Sequence, residues 1–443
     1  MVIYLRNIKR VITMNSRRDI LKDATIVIDG ENIVDLGEYK TVRRKWGRGL
    51  IVDCSGKVAL PGLIDLHGHS TQAFLRGLFE DKPLPSWLAY MHRARELMDD
   101  DMRRLGVELT FLEKLLSGTT TTVDMERCAD IVFEVAEKYG IRLIEAVVLV
   151  DSQELPYSGL ERISGVESEV NFAKKFIKKY NSDMHRAIFG PLGFPASSFD
   201  LLKRVSEEAR ELKTLVQTHC AEWMVNPSLS AKIYGLRELE KLEEIGFLGP
   251  NVMLVHSVYL TDYEIMALAK YQSSVVYCPS SNAKLGNGIA RIPEMLARGV
   301  PVGIGTDGAA SNNSQDMFTE MKIASLIQKA RLKDSTVMPA ERVLEMATIK
   351  AAEIIKMRDK IGSIEVGKKA DIVLLDWRNP SKVPLENIVS HIVYNTSGAE
   401  VDTVIVNGKI LLENRRLRIP VDRDELCRRV EEKYHILVEK LNQ

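Results

Sequence analysis

The chain has 443 residues, 61 Lys plus Arg against 61 Asp plus Glu, and hence a formal net charge of zero. Hydrophobic residues make up 45% and charged residues 28%, ordinary values for a soluble globular protein. The balance gives no general attraction to nucleic acid or to an anionic membrane, which favours a small neutral substrate.

Residues 1–60 read as short strands with turns: VIYLRNIKRVITM, DATIVIDGENIVDLG and GLIVDCSGKVAL, punctuated by Asp29-Gly30 and Ser55-Gly56. From Pro61 the rhythm becomes strand then helix, repeated eight times. The strands are GLIDLHGH, TTTVDM, LIEAVVLVD, RAIFGPLG, TLVQTHCAE, VMLVHSV, SVVYCPSSN and VGIGTDGAA, separated by amphipathic stretches such as DMRRLGVELTFLEKLLSG and DLLKRVSEEARELK. Eight such units predict a (β/α)8 TIM barrel over residues 61–360, a length that matches the roughly 250 residues such barrels need. Helices over 128–139 and 230–246 are expected to end at Gly140 and Gly246. After residue 360 the strand pattern returns, so 1–60 and 361–443 are expected to form a small flanking β-sandwich domain, with a helix in the last 20 residues.

The five cysteines, Cys54, Cys128, Cys220, Cys278 and Cys427, contain no Cys-x-x-Cys pair. An odd, scattered set argues for reduced thiols in the cytoplasm rather than a disulfide framework or a zinc knuckle. The N-terminus is too polar for a signal peptide, and no apolar run reaches the roughly 18 residues of a membrane helix.

Chemistry-bearing residues gather at the C-terminal ends of the predicted barrel strands, the face that carries catalysis in such barrels. Strand 1 ends in His67-Gly68-His69, strand 5 in His219 with Glu222 three residues on, strand 6 in His256 and strand 8 in Asp307. Two histidines two residues apart on a strand point the same way, so both imidazoles reach one metal. Three His and a carboxylate suit one Zn2+ per chain, with Fe2+ as the alternative. Such an ion brings the pKa of water near neutral and so makes a nucleophile, while a neighbouring carboxylate moves protons. A lone His at a strand end is more often structural, but four of the eight histidines fall at the ends of three barrel strands. His92, His185, His391 and His435 lack that placement.

The stretches LPGLIDLHGH, THCAE and GTDGAASNNS, together with the tail motif GSIEVGKKADIVLLD, closely resemble the one-metal deaminase branch of the amidohydrolase superfamily. The resemblance implies that His67, His69, His219 and Asp307 hold the metal. It implies that Asp307 also takes a proton from water, that Glu222 protonates a ring nitrogen and the departing ammonia, and that His256 orients the attacking water. It further implies a homo-oligomer, a dimer or tetramer. Members that bind nucleosides hold the ribose with a Glu after the first strand, and Glu96, following Trp87-Leu88, falls near that position. Two-metal members carry a bridging lysine at the end of strand 4, where this chain has Phe189-Gly190-Pro191-Leu192.

Within that branch the motifs are similar both to methylthioadenosine and S-adenosylhomocysteine deaminases and to triazine hydrolases. Adenosine-type members place a His where Leu192 stands, and S-adenosylhomocysteine binders place an Arg where this chain reads Glu145-Ala146-Val147-Val148. A substrate without an amino-acid tail therefore fits better: a purine, purine nucleoside, pterin or triazine. Trp87, Phe74 and Phe194 are candidates to stack on the ring, and Ser281 and Asn282 to bond its edge, with core packing and turn formation as the competing roles. Arg76 is read either as a site residue or as half of an ion pair. The reading is a deaminase releasing ammonia. The alternative is displacement of chloride or an alkylamine, and the remote one a non-catalytic scaffold, against which every expected ligand is present.

Overall fold

A computed structural model describes residues 1–151 and 165–443. Five strands open the chain: β1 (Val2–Ile12), β2 (Ile20–Asp29), β3 (Asn32–Gly37), β4 (Leu50–Asp53) and β5 (Lys57–Pro61). Gly30, at φ 58°, turns β2 into antiparallel β3. Eight parallel strands follow: β6 (Leu63–Asp65), β7 (Thr119–Asp124), β8 (Arg142–Leu149), β9 (His185–Pro191), β10 (Val216–Cys220), β11 (Val252–His256), β12 (Ser274–Tyr277) and β13 (Val302–Ile304). The chain ends with β14 (Ile372–Asp376), β15 (Val401–Val406), β16 (Lys409–Glu413), β17 (Arg416–Leu417) and the Arg423–Leu441 helix.

Strands β6 to β13 lie side by side in chain order, and among the described residues the two edges meet through two backbone–backbone hydrogen bonds. Leu66 N–H donates to Ile304 O (3.0 Å) and Asp307 N–H to His67 O (2.9 Å). Closure thus runs through the backbone of residues that carry the site. Every residue of β8 is buried, as in a sheet covered on both faces. Ile144 and Ala146 pack with Ile64, Ile188, Met253 and Val276, while Leu143, Val147 and Leu149 pack outward among Phe133, Val170 and Phe189.

The helices begin where short polar side chains cap them. Asp99 accepts from Met102 N–H (2.8 Å), Ser198 from Leu201 N–H (3.1 Å), and Thr261 with Glu264 forms a capping box. The Ala129–Tyr139 helix ends at Gly140 in the left-handed region. The helix expected over 230–246 is instead two, Val225–Tyr234 and Glu238–Glu244. Gly235, at φ 74°, terminates the first, and Glu240 accepts from Arg237 N–H to start the second.

Strands from both chain ends share one nine-stranded sheet, in the order β17-β16-β15-β14-β5-β1-β2-β3 with β4 beside β1. The seam is β14 against β5, antiparallel, with Ile372 opposite Pro61 and Asp376 opposite Lys57. Buried Arg142 of β8 pairs with Asp371 at 3.1 Å, tying the barrel wall to this sheet. Among the described residues no helix is long and apolar enough to cross a membrane.

Candidate metal centre and active site

Four imidazoles converge at the C-terminal rim, and in each the Nδ1 atom is engaged by an oxygen. His69 Nδ1 donates to Met125 O (2.8 Å) and His219 Nδ1 to Leu192 O (2.6 Å). His67 Nδ1 donates to Gln217 Oε1 (2.8 Å) and His256 Nδ1 to Asn282 Oδ1 (2.9 Å). Carbonyl oxygens only accept, so each ring keeps its proton on Nδ1 and bares a lone pair on Nε2. The Nε2 atoms of His67 and His256 are buried and have no hydrogen-bond partner among the described residues. Burial, reinforced by the neighbouring imidazoles, holds His67 far below the usual histidine pKa and brings His219 down to about 3. Both rings are therefore neutral, the form that binds metals.

Asp307 faces the same point, its Oδ1 3.6 Å from His67 Nε2 and 3.8 Å from His69 Nε2. Burial alone would raise its pKa, but any positive charge gained by the facing His256, His67 or His69, together with the hydrogen bond from the Ser281 hydroxyl, stabilises the carboxylate and holds it below its ordinary range. His67, His69 and Asp307 bring ligand atoms within 4.8 Å of one another, and so do His67, His219 and His256. The cluster fits a divalent cation, because unpartnered buried nitrogens beside a carboxylate are the donor set that such an ion satisfies. Glu222 Oε2 stands 3.7 Å from His256 Nε2. Burial raises the Glu222 pKa, with Asp307 adding to the effect. Ala221, His256, Ser257 and Asp307 all have positive φ (47°, 70°, 50° and 62°), so the ends of three strands carry strained backbone at this rim.

A layer of supports surrounds these groups. Gln217 Nε2 donates to Leu66 O (2.8 Å), which fixes the amide that grips His67. Asp124 accepts from the backbone and hydroxyl of Ser70, and Glu126 from those of Thr71, so two carboxylates pin the turn after His69. Lys114 is fully buried, with Nζ 2.9 Å from Asp65 Oδ2, and Asp65 also accepts from Thr306 Oγ1 (2.6 Å). A Cβ on Gly68 would stand 2.9 Å from Lys114 Nζ, which explains a glycine between the two histidines. Sequence reading missed these supports. Gln217 alone was within reach of it, being two residues before His219 on β10 and so on the same side of the strand.

Other expected site residues lie elsewhere or act differently. Ser281 and Asn282 are at the site but turned to the cluster itself: Ser281 Oγ donates to Asp307 Oδ2 (2.6 Å), and Asn282 Oδ1 accepts from His256 Nδ1. Trp87 is in the main hydrophobic core, on the inward face of the Leu84–Leu97 helix. Glu96 occupies the exposed face of that helix, without an ion pair or hydrogen bond among the described residues. Phe194 stacks on Phe199 (centroids 4.9 Å), Phe74 packs toward Tyr434, and Arg76 pairs with Glu113. The three aromatic side chains, Trp87, Phe74 and Phe194, are all buried in the main hydrophobic core.

Barrel, rim cluster and flanking sheet together define a hydrolase of the kind that works with a bound metal. The amidohydrolase family profile matches residues 58–411, and the chain belongs to that family. It is 36% identical over 398 residues to a 5-methylthioadenosine/S-adenosylhomocysteine deaminase of Thermococcus onnurineus, covering 89% of this chain and 91% of that one. Among solved structures, an adenosine deaminase of Xanthomonas campestris with bound zinc superposes with a TM-score of 0.91 at 28% identity, over 100% of this chain and 98% of that one. The zinc-complexed atrazine chlorohydrolase of Arthrobacter aurescens gives 0.89 at 26% identity, over 98% of this chain and 100% of that one.

Proposed function

We propose that the chain is a zinc-dependent deaminase that replaces the amino group of a small nitrogen heterocycle with oxygen and releases ammonia. A 6-aminopurine nucleoside is the first substrate to try, with purines, pterins and aminotriazines behind it. One observation carries the reading: four imidazoles with their Nδ1 atoms locked gather at the rim, those of His67 and His69 with Nε2 beside Asp307, and Glu222 stands at the edge of the group.

In this reading His67, His69, His219 and Asp307 hold one zinc ion, with iron(II) as the alternative. When bound, the ion supplies the Lewis acidity that brings the pKa of water near neutral. Asp307 takes the proton of the attacking water, and His256 orients that water. Glu222 protonates the ring nitrogen beside the reacting carbon, takes the proton of the new C–O–H group in its place and hands that one to the departing amine, and the proton on Asp307 then restores Glu222. A carboxyl raised by burial suits that task, since it holds a proton closer to neutral pH. The C–N bond breaks, the C–O bond stays, and ammonia leaves.

The barrel over 61–360 is the catalytic unit, flanked by 1–60 and 361–443, and we place the enzyme in the cytoplasm as a homo-oligomer. Its five cysteines, all unpaired, suit a reducing compartment. The second reading, displacement of chloride from a heteroaromatic ring, is favoured by the likeness to the atrazine chlorohydrolase.

Ammonia release by the zinc-loaded protein is measured across adenine nucleosides, guanine, pterins and aminotriazines. Release from one class supports the deaminase. Silence across the panel, with chloride released from chlorotriazines, replaces it with the second reading.

A further inference from the structure

Asn287 occupies a Gly286-Asn287-Gly288 turn after the Pro279–Lys284 helix, with the flanking glycines at φ 69° and 104°. A Cβ on Gly288 would come within 3.3 Å of Val258 and 3.4 Å of Tyr259, so the turn lies against the segment that follows His256. The Asn287 backbone N–H donates to Asn282 O at 2.9 Å, and Asn282 is the residue that holds His256. The side chain is buried, and Nδ2 donates to Glu222 Oε1 at 2.9 Å. That is the one hydrogen bond Glu222 makes among the described residues, its Oε2 being turned to His256 Nε2.

A carboxylate accepts at both oxygens and a carboxylic acid at its carbonyl oxygen, so Nδ2 facing Glu222 Oε1 is satisfied in either form, and Oδ1 is directed away from that contact. Oδ1 is itself buried and has no hydrogen-bond partner among the described residues. A buried carbonyl oxygen left without a donor is unfavourable. The group therefore suits a donor that arrives with the substrate, next to the residue that carries the proton.

Resting on the deaminase reading above, we infer that Asn287 selects the leaving group. Its Oδ1 accepts an N–H of the departing nitrogen, while its Nδ2 aims Glu222 at that same nitrogen. An amino group brings N–H donors to this place. Chloride brings only lone pairs, and would set an acceptor against an acceptor in a buried site, which is discrimination by mismatch. The amide gains and loses no proton and forms no covalent bond; it biases which substrate reacts.

The test uses the full zinc-loaded chain with adenosine and 6-chloropurine riboside, which share ring and sugar and give the same product. Wild type is compared with Asn287→Ala, which removes both amide groups, and with Asn287→Ser, whose hydroxyl donates to Glu222 but offers no carbonyl. Zinc content at one per chain checks that each variant keeps its fold. Both variants are expected to lose about 10–100-fold in kcat/KM on the amine and less than about 3-fold on the chloride. Equal losses on the two substrates overturn the inference, and so does recovery of the amine rate in Asn287→Ser, which would leave Asn287 as a positioning residue alone. Absence of ammonia release from every amino heterocycle refutes the deaminase reading and this inference with it. Ammonia release with an unchanged amine-to-chloride ratio in the variants refutes this inference only.

Discussion

His69 Nε2 stands 3.3 Å from His219 Nε2, and both rings have already committed their only proton to a backbone carbonyl. Two lone pairs facing each other at that distance repel, whereas a cation between the rings turns the same approach into ligation. The local backbone is strained to hold the arrangement, with His256 and Asp307 at φ 70° and 62°. Metal removal should therefore destabilise the barrel rim as well as abolish activity. Stripping with a strong chelator is expected to lower the thermal midpoint, and zinc at 100 times its Kd to restore about 2.7 kcal/mol. Calorimetry of stripped and reloaded protein measures this, and an unchanged midpoint would remove the cluster from the list of metal sites.

Among the described residues Gln217 is the one hydrogen-bond partner of His67 Nδ1, and its own amide is fixed by Leu66 O. Replacing it by Leu leaves the ring free to turn or to move its proton to Nε2, where a proton blocks metal binding. Gln217→Leu is expected to weaken zinc binding by about 10–100-fold with the fold retained. Competition against a zinc-responsive dye gives the number, and wild-type affinity in the variant would mean that packing alone holds the ring.

The barrel and its rim were legible because they rest on local signals. Eight apolar runs alternating with helical periodicity give the strand count, and His-x-His, His-x-x-Glu and Gly-Thr-Asp mark their C-terminal ends. The supports were not legible, because they are long-range pairings. Lys114 sits in a helix whose pattern reads as an ordinary amphipathic face, and only the folded barrel puts its ammonium beside Asp65, 49 positions away. The aromatic residues were ambiguous for the opposite reason: Trp87 and Phe194 carry the same signal whether they line a pocket or fill a core, and both are buried in the main core cluster. Glycine punctuation worked at Gly140 but hid the break at Gly235, since a Tyr-Gly-Leu step inside an apolar period reads as helix.

Glu222 is the group that separates proton transfer from metal binding. It touches the edge of the cluster through His256 at 3.7 Å and offers no atom to the tight ligand trios. Glu222→Gln keeps size and one hydrogen-bonding oxygen but removes the exchangeable proton. The variant is expected to bind zinc normally and to lose about 10²–10⁴-fold in kcat. Zinc analysis beside steady-state kinetics checks both halves, and a near-normal kcat would assign the proton transfer to another residue.

Glu320 offers a test of the fold that is independent of metal chemistry. It is fully buried on the Met317–Leu332 helix, accepts from Asn312 Nδ2 (2.8 Å), and burial pushes its pKa up to about 8. Above the ordinary carboxyl pKa of 4.5 the unfolded chain gives up this proton while the folded chain keeps it until about pH 8. The unfolded state then binds fewer protons, so this group's contribution to stability is full below pH 4.5 and is lost as pH rises toward 8. The slope from one proton is about 1.4 kcal/mol per pH unit. Glu320→Gln lacks that term, so its stability relative to wild type should improve steadily between pH 5 and 8. Glu238, raised to about 8 by its own burial, is present in both proteins and cancels in the difference. Urea midpoints of the two zinc-loaded proteins at pH 5, 6.5 and 8 measure the trend. A difference that stays flat with pH would mean that Glu320 is ionised in the native barrel, with Asn312 and the Ser280 backbone N–H sufficient to carry its charge.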